Sequence, residues 1–284
     1  MWREILTRRL TRRSASLTRE GDEPMRVVNA VARADAIMGL VASTARPLSI
    51  GSIARDLGLP RNTTYELVFT LCECRLLRMG VDGRVSPGIR LFELGGVYVA
   101  SLDWVEEARE VAREVRDLSG ETVQVAMLDG RDAIYLVKEE SQKAIRMASS
   151  IGRRLPAHAS AIGKVLLAGL PLAERVELLG THPLERLTEH TIVDPAQLME
   201  ELESTERRGY ALDNEESSPE VCCVAAPIWD STSRVIAAMS VSMPTSRLTA
   251  ARREEHATLL VDATTRLSAR LGHVAGAGNA FDSR

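Results

Sequence analysis

Residues 49–75 read SIGSIARDLGLPRNTTYELVFTLCECR, and the punctuation inside this stretch decides the fold of the amino-terminal third. Ser49 stands where a helix N-cap belongs, with a hydroxyl able to accept from an unpaired N–H of the first turn. A short helix follows from Ile50 to Leu57, and Gly58 supplies the left-handed residue that stops it. Pro60 suits a first helical turn, because its ring fixes φ and its missing N–H would be unpaired there anyway. It therefore opens a second helix, running to about Arg75 with Leu67, Val68 and Leu71 inward. A short helix, a turn containing glycine and a second helix have helix-turn-helix spacing.

Upstream, Val27, Val28, Val31, Ala34, Ile37, Met38 and Val41 recur at intervals of three and four, predicting an amphipathic helix over 26–43 before Pro47. Downstream, 76–78 and 84–86 flank Val81, Asp82 and Gly83, and Asp-Gly is a strong hairpin-turn signal. This hairpin would be a wing. Three helices and a hairpin can equally dock a protein, but nine Arg against five acids between residues 26 and 90 favour DNA. The wider balance agrees. Residues 1–90 hold fifteen Arg, no Lys and nine acids, a net +6, which leaves −9 on the remainder of a 284-residue chain of net −3. A basic module on an acidic body fits a DNA-binding unit joined to a unit that does not touch DNA.

Several classes drop out. Aromatic residues make up 4% of the chain, too few for a surface of rings stacked on single-stranded bases. Cys72, Cys74, Cys222 and Cys223 lack the two-residue gap of a zinc knuckle, and the five His form no i,i+4 pair. No metal or other cofactor is expected. Arg12 and Arg13 are not followed by an apolar export segment, no stretch approaches membrane-spanning length, and no disulfide framework is visible; a cytoplasmic location is expected. Residues 1–24 read as a disordered basic arm, either an auxiliary DNA contact or an extension upstream of a start at Met25.

Past the wing, 91–102 is helical and nearly uncharged, which suits a linker helix buried at a subunit contact. A helix over 105–118 stops at Gly120. Strands over 122–128 and 133–137 join through Asp129 and Gly130, and helices follow near 160–168 and 195–208. Strands over 222–229 and 235–242 precede a closing helix over 249–271. The expected class is α+β, with an antiparallel sheet flanked by helices. The expected divisions are a DNA-binding domain over 25–89, a linker helix over 90–104, a second domain over 105–273 and a disordered tail over 274–284.

Four segments resemble the IclR-type bacterial transcription regulators: IARDLGLPRNTTY at 53–65, IGRRLPAHASAIGK at 151–164, GYALDNEE at 209–216, and CVAAPIWD through SRLT over 223–249. Their order and spacing extend the likeness over roughly 26–272. The resemblance implies a winged helix-turn-helix, a linker helix, a GAF-like effector domain, and homodimers that pair into tetramers. Two positions depart from the family pattern. Glu66 stands where an Arg is usual in the recognition helix, and Arg75 where a Gly is usual before the wing.

Candidate DNA-binding residues are Ser49, Arg61, Asn62, Thr63, Tyr65, Glu66 and, on the wing, Arg84. The partner is expected to be double-stranded operator DNA, pseudo-palindromic because one recognition helix reads too few base pairs alone. Arg84 would meet phosphate. Glu66, repelled by phosphate, would either turn to an Arg or accept from a cytosine amine. For the second domain the resemblance implies an effector pocket at Asp213, Cys223, Ser240 and Ser242 with the backbone of Ala161 and Ile162. Strand alternation places Ser240 and Ser242 on one face, with Met239, Val241 and Met243 on the other, and separates Cys223 from Cys222. Exposed N–H groups opening the 160–168 helix can hold a carboxylate. Met127, Leu155 and Val221, or their neighbours, are expected as apolar walls. The expected effector is a small carboxylate or aromatic acid, its acid end toward Ala161 and a donor toward Asp213. The alternative function is a thiol enzyme using Cys223, His158 and Asp213.

Overall fold

The computed structural model describes residues 28–44, 46–100, 102–143, 150–180 and 183–274, so the basic arm and nearly all of the tail lie outside the described residues. The described chain forms two compact units that meet in sequence at Leu102 and Asp103.

The first unit contains α1 (Asn29–Ser43), β1 (Leu48–Ser49), α2 (Ile50–Leu57), α3 (Arg61–Glu73), β2 (Leu77–Met79), β3 (Arg84–Pro87) and α4 (Ile89–Ala100). Ile37, Val41, Ile53, Leu57, Val68, Leu71, Leu77 and Val85 form one core, so helices α1, α2 and α3 and the wing contribute to the same apolar centre. The stops are those the residues dictate. Ser49 Oγ accepts from Ser52 N at 3.1 Å, and Gly58 sits at φ 64°. Strand β1 was not legible beforehand, because two residues carry no alternation. It pairs with β3 through Leu48 with Val85 and Ser49 with Arg84, making a three-stranded sheet.

Arg75 has φ 60°, a left-handed conformation that glycine adopts without cost and an L side chain does not. Gly88 packs beneath it, where a Cβ would lie 2.1 Å from the Arg75 carbonyl oxygen. The departure from glycine at 75 is thus a strained residue, held by an ion pair from its guanidinium to Glu93 at 2.6 Å.

The second unit contains α5 (Trp104–Ser119), β4 (Thr122–Asp129), β5 (Asp132–Glu139), β6 (Arg154–Pro156), α6 (Ala161–Ala168), α7 (Leu172–Gly180), α8 (Pro195–Arg208), β7 (Ala211–Asn214), β8 (Val221–Trp229), β9 (Val235–Pro244) and α9 (Ala250–Arg270). The six strands form one antiparallel sheet in the order β6-β5-β4-β9-β8-β7. Ala126, Ala211, Ala225 and Ala238 pack with Ala161, Ile162 and Val165 of α6 on one face. The alternate residues Val123, Val125, Val224, Met239, Val241 and Met243 point to the other face, where α5 and α9 lie. Strands β6 and β7 and helix α7 went unread in the sequence. The two strands are three and four residues long, and α7 leaves Leu172 and Val176 exposed instead of gathering an inward stripe.

Candidate functional sites

On the first unit, Ser49, Ile50, Gly51, Arg61, Asn62, Tyr65 and Gly83 line a notch of about 410 Å³ between the start of α2, the start of α3 and the wing. Of the residues read from the sequence, Arg61, Asn62, Tyr65 and Glu66 are exposed and Thr63 is half-buried. Thr64 is buried and donates to the Pro60 carbonyl at 3.0 Å, anchoring the first turn of α3. Arg84 lies at the turn end of the wing, its carbonyl accepting from Gly80 N as the hairpin closes. Its guanidinium reaches the Pro47 carbonyl at 3.3 Å and Asp82 at 3.6 Å, while its side chain stays more than half exposed. Among the described residues no cation pairs with Glu66, whose carboxylate is exposed on α3. Phe69, one turn beyond Tyr65, is also exposed; its place among Leu67, Val68 and Leu71 hid it from sequence reasoning.

On the second unit, register assembles the polar set. Asp213, Cys223, Ser242 and Thr122 are successive partners across β7, β8, β9 and β4. Ala211, Ala225, Ser240 and Gln124 form the next row. Cys223 Sγ donates to Ser242 Oγ at 3.2 Å, and that hydroxyl donates onward to Gln124 Oε1 at 3.2 Å. Ser242 therefore spends its proton inside the protein and presents an acceptor, while Ser240 keeps its hydroxyl. Gln124 was missed because only pairing with β9 brings it here. Above this face, Ser160 caps α6 by accepting from Gly163 N at 3.1 Å. The amides of Ala161 and Ile162, first in the helix, have no intrahelical acceptor.

Asp213 is fully buried. Its Oδ1 accepts from Glu216 N at 2.7 Å, and its Oδ2 accepts from Ser217 Oγ at 2.6 Å. Burial pushes its carboxyl up to about 6, against the hydrogen bond from Ser217. Sequence reasoning also missed a buried ion pair nearby. Lys164 of α6 is 1% exposed, and its Nζ lies 2.7 and 2.9 Å from the two Glu216 carboxylate oxygens, tying α6 to the turn after Asp213.

Leu155 packs in the apolar cluster against α6, and Val221 shares the parity of Cys223. Met127 does not belong to this wall. It is paired with Ile134 and alternates with Ala126 and Leu128, so it points to the opposite face and Leu128 takes the expected place. The thiol-enzyme constellation fails chemically. Burial and the Asp213 charge hold the Cys223 thiol well above its ordinary range, so no thiolate nucleophile is available near neutral pH. His158 Nε2 is taken up by the Glu185 carbonyl at 2.9 Å.

The model of the IclR helix-turn-helix domain matches residues 30–79, and that of the bacterial transcriptional regulator IclR C-terminal region matches residues 96–269. The chain belongs to the IclR family. Along 252 residues it is 38% identical to the HTH-type transcriptional regulator XynR of Escherichia coli K12, covering 88% of this chain and all of that one. It is 32% identical to the HTH-type transcriptional repressor AllR of Klebsiella pneumoniae, covering 86% of this chain and 90% of AllR. Among solved structures, the Thermotoga maritima IclR superposes with a TM-score of 0.71 at 29% identity, over 86% of this chain and 99% of that one. An IclR homologue of Microbacterium hydrocarbonoxydans complexed with 4-hydroxybenzoate superposes with a TM-score of 0.75 at 26% identity, over 85% of this chain and 98% of that one. This IclR-family chain is therefore a helix-turn-helix transcriptional regulator with a carboxy-terminal effector-binding domain, not an enzyme. No described helix is long and apolar enough to cross a membrane.

Proposed function

We propose that this IclR-family regulator is a repressor that binds a pseudo-palindromic operator as a dimer and answers to a small organic acid held between the start of α6 and the polar rows of the sheet. The observation that carries the reading is the convergence of unpaired helix-start amides at Ala161 and Ile162 with the Ser240 hydroxyl over one sheet face. Two amides and a hydroxyl are donors, and they suit a carboxylate. Asp213 has a lone pair left on Oδ2 to accept from a donor elsewhere on the ligand, so a dicarboxylate fits badly. Leu128, Leu155 and Val221 supply the apolar surround. An aromatic acid is supported further by the Microbacterium relative that holds 4-hydroxybenzoate.

On the DNA side, Arg61, Asn62, Thr63, Tyr65 and Glu66 read bases, while Ser49 and Arg84 hold backbone. Selection from random double-stranded DNA with the full-length protein should enrich two inverted half-sites, and small acids should release the bound sequence. Ser240→Ala should weaken that release about tenfold and leave operator affinity intact. Enrichment of one unrepeated half-site, or a release that Ser240→Ala leaves unchanged, would overturn the corresponding half of the proposal.

A further inference from the structure

We propose that Phe69 of α3 is a base-reading residue that selects a thymine in each operator half-site by apolar contact with its C5 methyl group. The inference rests on the DNA-reading role proposed for α3 and names a residue and a base that this role leaves open.

Phe69 is 53% exposed, although Val68 and Leu71 of the same helix are buried in the core of the unit. A single exposed phenylalanine is ordinary on a protein surface; its position on α3 is what matters. Asn62, Tyr65, Glu66 and Phe69 stand at i, i+3, i+4 and i+7, and all four are exposed. With this spacing one face of a recognition helix reaches the edges of successive bases in the major groove. Asn62 and Tyr65 line the notch beside the wing, and Phe69 extends their face by one more turn. It lies about 6 Å beyond Tyr65 along the helix axis, and its Cα–Cβ bond leans back toward the first turn.

The chemistry of this face decides what it can meet. Over 62–73 the helix holds no Arg or Lys, and its charged residues are Glu66 and Glu73. Such a surface is repelled by phosphate and finds favourable partners only at base edges. Thr70 Oγ1 donates to the Glu66 carbonyl at 2.8 Å, so its proton is spent on the helix and the Phe69 ring is the larger group presented at that level. The floor of the major groove offers one apolar group, the thymine C5 methyl. Cytosine carries hydrogen at the same carbon, and the purines present N7 and polar exocyclic groups, so the ring discriminates by burial alone. Glu66, three residues away, accepts from a cytosine amine. The rise of about 4.5 Å between the two residues puts that cytosine within about two base pairs of the thymine.

The test uses the full-length protein and the sequence it enriches from random double-stranded DNA. Each thymine is replaced in turn, in both half-sites at once, by uracil, which still pairs with adenine and lacks only the methyl group. Fluorescence anisotropy titrations should find a symmetric pair of positions where uracil weakens wild-type binding about fifteenfold, the worth of one buried methyl in each half-site. Phe69→Ala should no longer tell thymine from uracil at that pair. Its preferences at the other positions and its salt slope should match wild type, because the ring touches no phosphate. A Phe69→Ala protein that keeps the full thymine margin at every position would overturn the assignment. So would an equal weakening on all sequences with monomers in ultracentrifugation, which would mean that the ring meets a second copy of the chain. An enriched half-site without thymine would overturn it as well. If no sequence is enriched, base reading by α3 itself falls and Phe69's part with it; enrichment with its thymines read by other residues sinks only the present inference.

Discussion

At the residue scale, Asp213 shows how one side chain can be costly to the fold and useful to the site. A buried carboxyl held at about 6 binds its proton in the folded state at a pH where the unfolded chain, near 3.8, has released it. Folding therefore takes up a proton between these values, and stability falls as pH rises through that window. Asp213→Asn removes this term while keeping the shape of the side chain. The unfolding free energy of wild type minus that of Asp213→Asn should rise by roughly 2–3 kcal/mol as pH is lowered from 7 to 4, a shift of one pKa unit being about 1.4 kcal/mol. Urea titrations across that range would measure it, and a flat difference would show that Asp213 is not held protonated by burial. Arg75 makes the same point in backbone terms. Its left-handed φ is an expense of about 1–2 kcal/mol that glycine would not carry, and nothing in its charge announces it.

At the scale of elements, the placement of α6 decides whether a site exists at all. Its third residue, Gly163, lies so close to the preceding segment that a Cβ would sit 2.2 Å from the Ala157 carbonyl oxygen and 2.3 Å from the Ala157 Cα. The atoms in the way are backbone and cannot swing aside. Helix propensity by itself favours alanine over glycine by about 1 kcal/mol, so the two effects differ in sign. Gly163→Ala is expected to destabilise the protein by about 1–3 kcal/mol and to weaken acid-dependent release, because α6 and the segment at Ala157 must move apart. A thermal midpoint raised by the substitution would show that close approach is not what fixes the residue. The Lys164–Glu216 pair works on the same helix from its other side, holding it to the turn that Asp213 closes.

At the scale of the whole molecule, helix α4 leaves its apolar residues uncovered. Ile89, Phe92 and Val97 are exposed, Phe92 at 77%. The operator symmetry proposed above calls for a second copy of the chain, and such a run on one helix is the surface we propose for it. Phe92→Glu should yield monomers in analytical ultracentrifugation at micromolar concentration and weaken operator binding at least tenfold. Acid binding by the carboxy-terminal unit should persist. A dimer unchanged by the glutamate would place the subunit contact elsewhere.

What the sequence determined by itself was everything that rests on local chemistry. Ser49, Gly58, Pro60 and the Asp82–Gly83 pair mark the helix-turn-helix and its wing, because caps, left-handed stops and hairpin turns are set by one or two residues each. The parity of Ser240 and Ser242 followed from period-two alternation, as did the separation of Cys223 from Cys222. What only the tertiary structure decided was which strands lie side by side. Gln124 joins Ser242 through pairing between segments more than a hundred residues apart in sequence. Alternation fixes the face a side chain takes only when the register is known, and Met127 pointed the other way for that reason. Whether a hydroxyl or carboxylate is already satisfied depends on partners that folding brings from elsewhere, so the spent proton of Ser242 and the occupied oxygens of Asp213 leave no trace in the order of residues.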